Sequence, residues 1–189
     1  MSSTKKQVGV DMGLTDEEKN DLLRLVEKVV ACRCKGLKRE RYEPKSERLK
    51  EKCGAFVTIY KKGMLRGCIG WLNASKPLCE TIEEMAEAAA FKDPRFRPIC
   101  ADELELLDYE ISVLTPFQRV KDVDEIQVGV DGILVKHGAC SGLLLPQVAT
   151  ERNWDRITFL EETCRKACLP KDAWKDPGTE IYKFSADVF

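Results

Sequence analysis

Residues 53–70 constrain the fold more than any other stretch of the chain. Cys53–Tyr60 (CGAFVTIY) is rich in β-branched and aromatic residues, the composition of a strand. Lys61-Lys62-Gly63 supplies a turn, and Leu65–Gly70 (LRGCIG) returns as the partner strand of a hairpin. The returning strand contains Gly67 and Gly70. Glycine within a strand marks a place where a ligand or another backbone comes close. Side chains alternate along a strand. Leu65, Gly67 and Ile69 therefore point one way, and Arg66 and Cys68 the other.

Helical signals lie on both sides of the hairpin. Thr15 and Glu18 form a capping-box pattern ahead of Leu22, Leu25, Val26, Val29 and Val30, so a helix is predicted over about 15–35, stopped by Gly36. Ser75 is the expected cap of a second helix with Leu78, Ile82, Met85, Ala86 and Ala89 on one face, ended by Phe91–Pro98 (FKDPRFRP). Residues 101–107 read as a short helix and Tyr109–Thr115 as a strand. Val128–Val130, Gly132–Val135 and Gly142–Leu145 read as short strands. Thr150–Ala167 reads as one long helix and Ile181–Phe184 as a closing strand. Helices and strands do not alternate as βαβ units, so the predicted class is α+β with largely antiparallel sheets flanked by helices. A chain of 189 residues suits one domain with lobes. The expected division is a loose tail over 1–13 and a single domain over 14–189.

Composition narrows the functional classes. The net charge of −1 does not favour a nucleic-acid binder, for which a basic excess is the usual footprint. No apolar run approaches the roughly 20 residues that cross a bilayer, and the N-terminus does not read as a signal peptide. No membrane contact is expected. The chain has nine cysteines without a C-x-x-C pair, beside a single histidine; most of them, with Cys53, Cys79, Cys100, Cys140, Cys164 and Cys168 in apolar or small-residue surroundings, are read as reduced core residues of a cytoplasmic protein. Neither a metal site nor a cofactor is predicted. Residues 33–52 hold nine Lys or Arg against four Glu, either an anion-binding patch or a solvated connector.

The candidate site centres on Arg66 and Cys68. A guanidinium beside a thiol favours the thiolate, so Cys68 is the candidate nucleophile or ligand-gripping thiol and Arg66 its activator or an anion binder. Gly67 and Gly70 leave room for a ligand. Asp93 and Arg95, in the rigid Asp93-Pro94-Arg95-Phe96 loop, and Glu110 and Ser112, which share one strand face, are candidate binding residues. Each has a structural alternative: a tightly packed strand, a capped turn with an ion pair, and a solvent-facing strand edge. His137, in Lys136-His137-Gly138, reads as an exposed turn residue. The residues leave two functional classes open. One is an enzyme or enzyme subunit built on Cys68. The other is a non-catalytic module that binds a protein, a peptide or nucleic acid.

LRGCIG (65–70), DPRF (93–96), EISVLT (110–115), GLLLPQV (142–148) and W-x4-FL-x3-C-x-KA-x-LP (154–170) occur in the order in which they occur in the AMMECR family, and the chain resembles its short prokaryotic, archaeal form from about residue 15 onward. The resemblance implies an α+β domain of two unequal lobes, the larger holding both termini, with a cleft between them that takes a small molecule or a macromolecule. It marks LRGCIG as the family hallmark. It also implies a role in basic cellular machinery (transcription, replication, repair or translation) and a pathway shared with Memo-like and radical SAM proteins. Many members carry a histidine before the glycine in the segment that here reads Val130-Asp131-Gly132.

Overall fold

The computed structural model describes residues 9–189. The chain divides into two compact units. One comprises Gly13–Leu114 with Val188–Phe189, and the other Thr115–Asp187 with residues 9–12. The architecture is α+β, with every named strand pair antiparallel.

The first unit begins with α1 (Asp16–Cys34). Thr15 Oγ1 accepts the Glu18 amide at 3.2 Å and Glu18 Oε2 accepts the Thr15 amide at 2.8 Å, the reciprocal capping box its sequence predicts. The hairpin follows as β1 (Ala55–Lys61) and β2 (Met64–Trp71). β3 (Leu107–Leu114) pairs with β1 on the side away from β2, and Ile111 exchanges backbone hydrogen bonds with Phe189. Between β2 and β3 the chain forms α2 (Leu78–Phe91). This helix starts two residues later than a Ser75 cap predicts. An extended bridge between Lys52 and Pro77 delays it, and the Leu78 amide donates to Glu51 O at 2.8 Å. Ser75 Oγ instead accepts Trp71 Nε1 at 3.4 Å. Both helices pack on the same face of the three strands: α2 on β1 and β2, and α1 on α2 and β3. Leu22, Val26 and Val30 of α1, Leu78, Ile82 and Ala86 of α2, and Val57, Ile59 and Ile111 of the sheet form this core.

The basic segment 33–52 is a connector. Arg39 pairs with Glu83 and Arg48 with Glu51; Lys45 reaches Asp21 at 3.0 Å and Lys50 reaches Glu47 at 2.6 Å.

The second unit is a four-stranded sheet with β7 (Glu180–Val188) between β5 (Asp131–His137) and the two-residue β4 (Gln118–Arg119), and β6 (Cys140–Leu144) outside β5. The predicted strand over 128–130 is a turn. Gly129 has φ +89 and the Val130 amide returns to Gln127 O at 3.1 Å. The predicted helix over 150–167 is two helices, α3 (Pro146–Glu151) and α4 (Arg156–Lys166). Asn153 at φ +54 ends the first, and Asp155 caps the second by accepting the Thr158 amide at 2.7 Å. Ile157, expected on the buried face, is exposed as a result. Phe159, Leu160 and Cys164 of α4 join Ile133, Val135 and Ile181 in the core.

Of the tail expected over 1–13, residues 1–8 lie outside the described residues. The Val10 amide donates to Ala186 O at 3.0 Å and the Met12 amide to Asp187 Oδ2 at 3.1 Å. None of the nine cysteines, all described, is in a disulfide. Two that were expected in the core, Cys100 and Cys168, are exposed. Cys100 directly precedes a short helical turn (Ala101–Leu106), and Cys168 sits at φ +60 just beyond α4. Among the described residues no helix is long and apolar enough to cross a membrane.

Candidate functional site

β2 is an edge strand with a break in register. Gly67 pairs with Ile59 and Leu65 with Tyr60, so Arg66 is the extra residue of a β-bulge. The bulge coincides with a change of neighbourhood for Arg66. Its guanidinium is taken up by the chain that follows α2. Nε and Nη2 grip Glu103 at 3.1 and 2.9 Å, Nη1 donates to Arg97 O at 2.8 Å, and Nη2 also reaches Pro98 O at 3.4 Å. Lys61 Nζ adds a second cation to Glu103 at 2.7 Å, and the Cys100 amide donates to the same carboxylate at 3.1 Å. Chiefly because of the Arg66 hydrogen bonds, and against the cost of burial, the Glu103 carboxyl is held down at about 2. The carboxylate thus neutralises the cation expected to activate Cys68.

Cys68 is held through its backbone. Its amide donates to Asp93 Oδ2 at 2.9 Å, and its carbonyl accepts Arg95 Nη2 at 3.2 Å. Arg95 pairs with Asp93 at 2.7 Å, and Asp93 also accepts the Arg95 amide at 3.1 Å. The Asp93 and Arg95 side chains stand where a neighbouring strand's backbone would, so they cover the sheet edge at Cys68. Asp93 is buried, yet the Arg95 guanidinium and the Cys68 amide hold its carboxyl down at about 2.

Neither glycine leaves open space. A Cβ on Gly67 would lie 2.2 Å from Ala89 O of α2, and one on Gly70 would lie 2.2 Å from the Phe56 ring. The close approach that these glycines allow is that of a helix and an aromatic ring.

Cys68 itself, partly exposed, lies on the sheet face opposite α2. Its cross-strand partner is Thr58, whose hydroxyl donates to Cys68 Sγ at 3.3 Å, and Thr58 pairs in turn with Glu110 on β3. Tyr109 faces α1, where burial, with Glu27 and Cys34 adding, pushes its phenol up to about 12. Glu110 therefore points to the same side as Cys68. Cys68, Thr58 and Glu110 form one row across three strands, flanked on β1 by the half-buried Phe56 and Tyr60. With strands about 4.8 Å apart, the row spans about 10 Å. The parallel row is Gly70, Phe56 and Ser112, and Ser112 is buried.

The structure therefore brings Cys68 together with Asp93 and Arg95 through the backbone, and with Glu110 through the register. It turns Arg66 to Glu103. His137 belongs to the other unit, where it ends β5 opposite Cys140, partly buried, with Nδ1 2.9 Å from Thr179 Oγ1. It is a strand-end residue and not the exposed turn residue expected. Asp131 holds the turn before β5, its Oδ2 accepting the Gln127 amide at 2.9 Å. Thr58 and Glu103 were not legible as site residues. Thr58 sits unmarked in an apolar strand, and Glu103 lies 37 residues from Arg66. Its only local signal is its place three residues after Cys100, where a helical turn begins.

The AMMECR1 family model matches residues 23–189. The protein MK0488 of Methanopyrus kandleri is 45% identical over 185 residues, covering 93% of this chain and 89% of that protein. TK0174 of Thermococcus kodakarensis is 46% identical over 149 residues, 74% of this chain and 73% of that one. The crystal structure of the uncharacterised protein PH0010 from Pyrococcus horikoshii superposes with a TM-score of 0.88 at 40% identity, covering 93% of this chain and 92% of that one. A family match over most of the chain, archaeal relatives at this identity and a shared fold establish that the chain belongs to the AMMECR1 family.

Proposed function

We propose that this chain is a binding module, and that the sheet face opposite α2, where Cys68 and Glu110 are partly exposed, receives a segment of a partner protein. The observation that carries this reading is the fate of Arg66. It is held bidentately by Glu103, while Arg95 is paired with Asp93. A cysteine nucleophile needs a base or a cation left over to stabilise its thiolate, and both arginines are spent on holding β2. The sole histidine is tied to Thr179. The buried Thr58 hydroxyl is spent on Cys68 Sγ, and the partly exposed Cys68, Glu110, Phe56 and Tyr60 form the accessible part of the face. Memo-like and radical SAM proteins, the partner classes implied by the family resemblance, are the first to test. The ion pairs within the basic segment 33–52 argue against nucleic acid.

Limiting iodoacetamide followed by peptide mapping tests the choice between binding and catalysis. Cys68 is expected to label no faster than the exposed Cys100 and Cys168. Preferential labelling of Cys68 that slows in Arg95→Met overturns the reading in favour of an activated nucleophile. Calorimetric titration with a Memo-like protein tests the surface itself. Cys68→Trp is expected to abolish binding and Cys68→Ser to retain it. Unchanged binding by Cys68→Trp rules this face out.

A further inference from the structure

We propose that Cys34 and Cys100 form a two-cysteine site that hydrogen peroxide oxidises to a disulfide, locking the end of α1 to the chain segment that holds Arg66. The inference concerns a site separate from the Cys68 face and does not depend on how that face works.

Cys34 is the last residue of α1, and its Sγ donates to the carbonyl oxygen of Ile99 at 3.4 Å. Ile99 directly precedes Cys100. That oxygen lies about 2.8 Å from the Cα of Cys100 across the planar peptide. The Cys34 sulfur is thus within roughly 6 Å of the Cys100 Cα, and a side-chain rotation with a small backbone shift spans the rest, since bridged cysteines have Cα atoms about 4.4–6.8 Å apart. Cys32, two residues earlier on the same helix, does not share the face of Cys34.

The two thiols differ in the way the reaction requires. Cys100 is exposed, and Cys34 is half-buried. Burial, with Cys100 and Glu103 adding, pushes the Cys34 thiol up, which suits it to resolve and not to attack. The Cys100 sulfur attacks one peroxide oxygen. The S–O bond forms, the O–O bond breaks, and with the thiol proton the leaving oxygen departs as water, so Cys100 becomes a sulfenic acid. The Cys34 sulfur then attacks the Cys100 sulfur. The S–S bond forms, the S–O bond breaks, and a second water leaves with the Cys34 proton. Two thiols lose two electrons in all, and the peroxide gains them. Sulfenic acids condense with a neighbouring thiol in this way, and disulfides inside cells are commonly of this transient, sensing kind.

The position gives the bond a consequence. The Cys100 amide donates to Glu103, and Arg97 O, Pro98 O and Glu103 together hold Arg66. A Cys34–Cys100 bond ties this cradle covalently to α1.

The test treats the full chain with equimolar hydrogen peroxide, blocks residual thiols with N-ethylmaleimide and maps peptides without reduction. A Cys34–Cys100 linked peptide is expected in the wild type and in Cys32→Ser, and not in Cys34→Ser or Cys100→Ser. Dimedone is expected to trap Cys100 in Cys34→Ser at several times the wild-type yield. Dimedone trapping at Cys100 without any linked peptide in the wild type overturns the proposal. So does a linked peptide joining Cys100 to Cys32 or to a second chain.

Discussion

Replacing Arg66 with Met separates the two roles that the residue can play, because the structure gives it a quantifiable one. Glu103 is 12% exposed and moves from an ordinary 4.5 to about 2 when folded, chiefly through Arg66. At about 1.4 kcal/mol per unit, its partners stabilise the ionised form by about 3 kcal/mol. Lys61 and the Cys100 amide remain in the variant, so Arg66→Met is expected to cost about 2 kcal/mol at neutral pH. The sign follows from the direction of the shift. A carboxyl depressed by folding contributes fully above its unfolded value and loses that contribution as pH falls through the folded one. The difference between wild type and variant should therefore hold from pH 7 to about 4.5 and shrink steadily toward pH 2. Urea unfolding at pH 7, 5, 4 and 3 measures it. Taking the difference cancels the other titrating carboxylates, Asp93 among them. A difference that stays constant across this range refutes the electrostatic account. A variant as stable as the wild type at pH 7 refutes the clamp altogether.

Gly67→Ala places a methyl 2.2 Å from a helix carbonyl, and α2 must move off the sheet. About 2–4 kcal/mol of destabilisation is expected in chemical denaturation. Asp93→Asn keeps an acceptor for the Cys68 amide but removes the charge that Arg95 needs. Amide exchange at Cys68 should quicken about tenfold at pH 7, and the gap to wild type should close as pH falls from 3.8 toward about 2. Phe159→Ala empties the core of the second unit and should cost about 3–5 kcal/mol by calorimetry. Thr15→Ala removes one half of a capping box and should cost about 1 kcal/mol in thermal melts.

The reading of LRGCIG shows where local inference stopped. Alternation put Arg66 and Cys68 on one face, and the pairing of two flanking strands was equally legible. The bulge at Arg66 was not, because a register slip depends on how β1 and β2 meet side by side. Glycine in a strand announced a close approach without naming what approaches. At Gly67 it is Ala89 of α2. Asp93 and Arg95 were legible as a capped pair but not as the cover of a sheet edge 25 residues away in sequence.

What the amino-acid sequence determined alone is what acts over a few residues. The Thr15–Glu18 box starts α1, the alanine-rich stripe makes α2, and Lys61–Gly63 with its flanking apolar runs makes the hairpin. These follow from hydrogen bonds and periodicities completed within one turn or one strand. The tertiary structure alone decided that Arg66 serves Glu103 and that Cys68 shares its row with Thr58 and Glu110. Those outcomes depend on which distant segments come to lie within about 5 Å of one another, and packing of the whole core settles that.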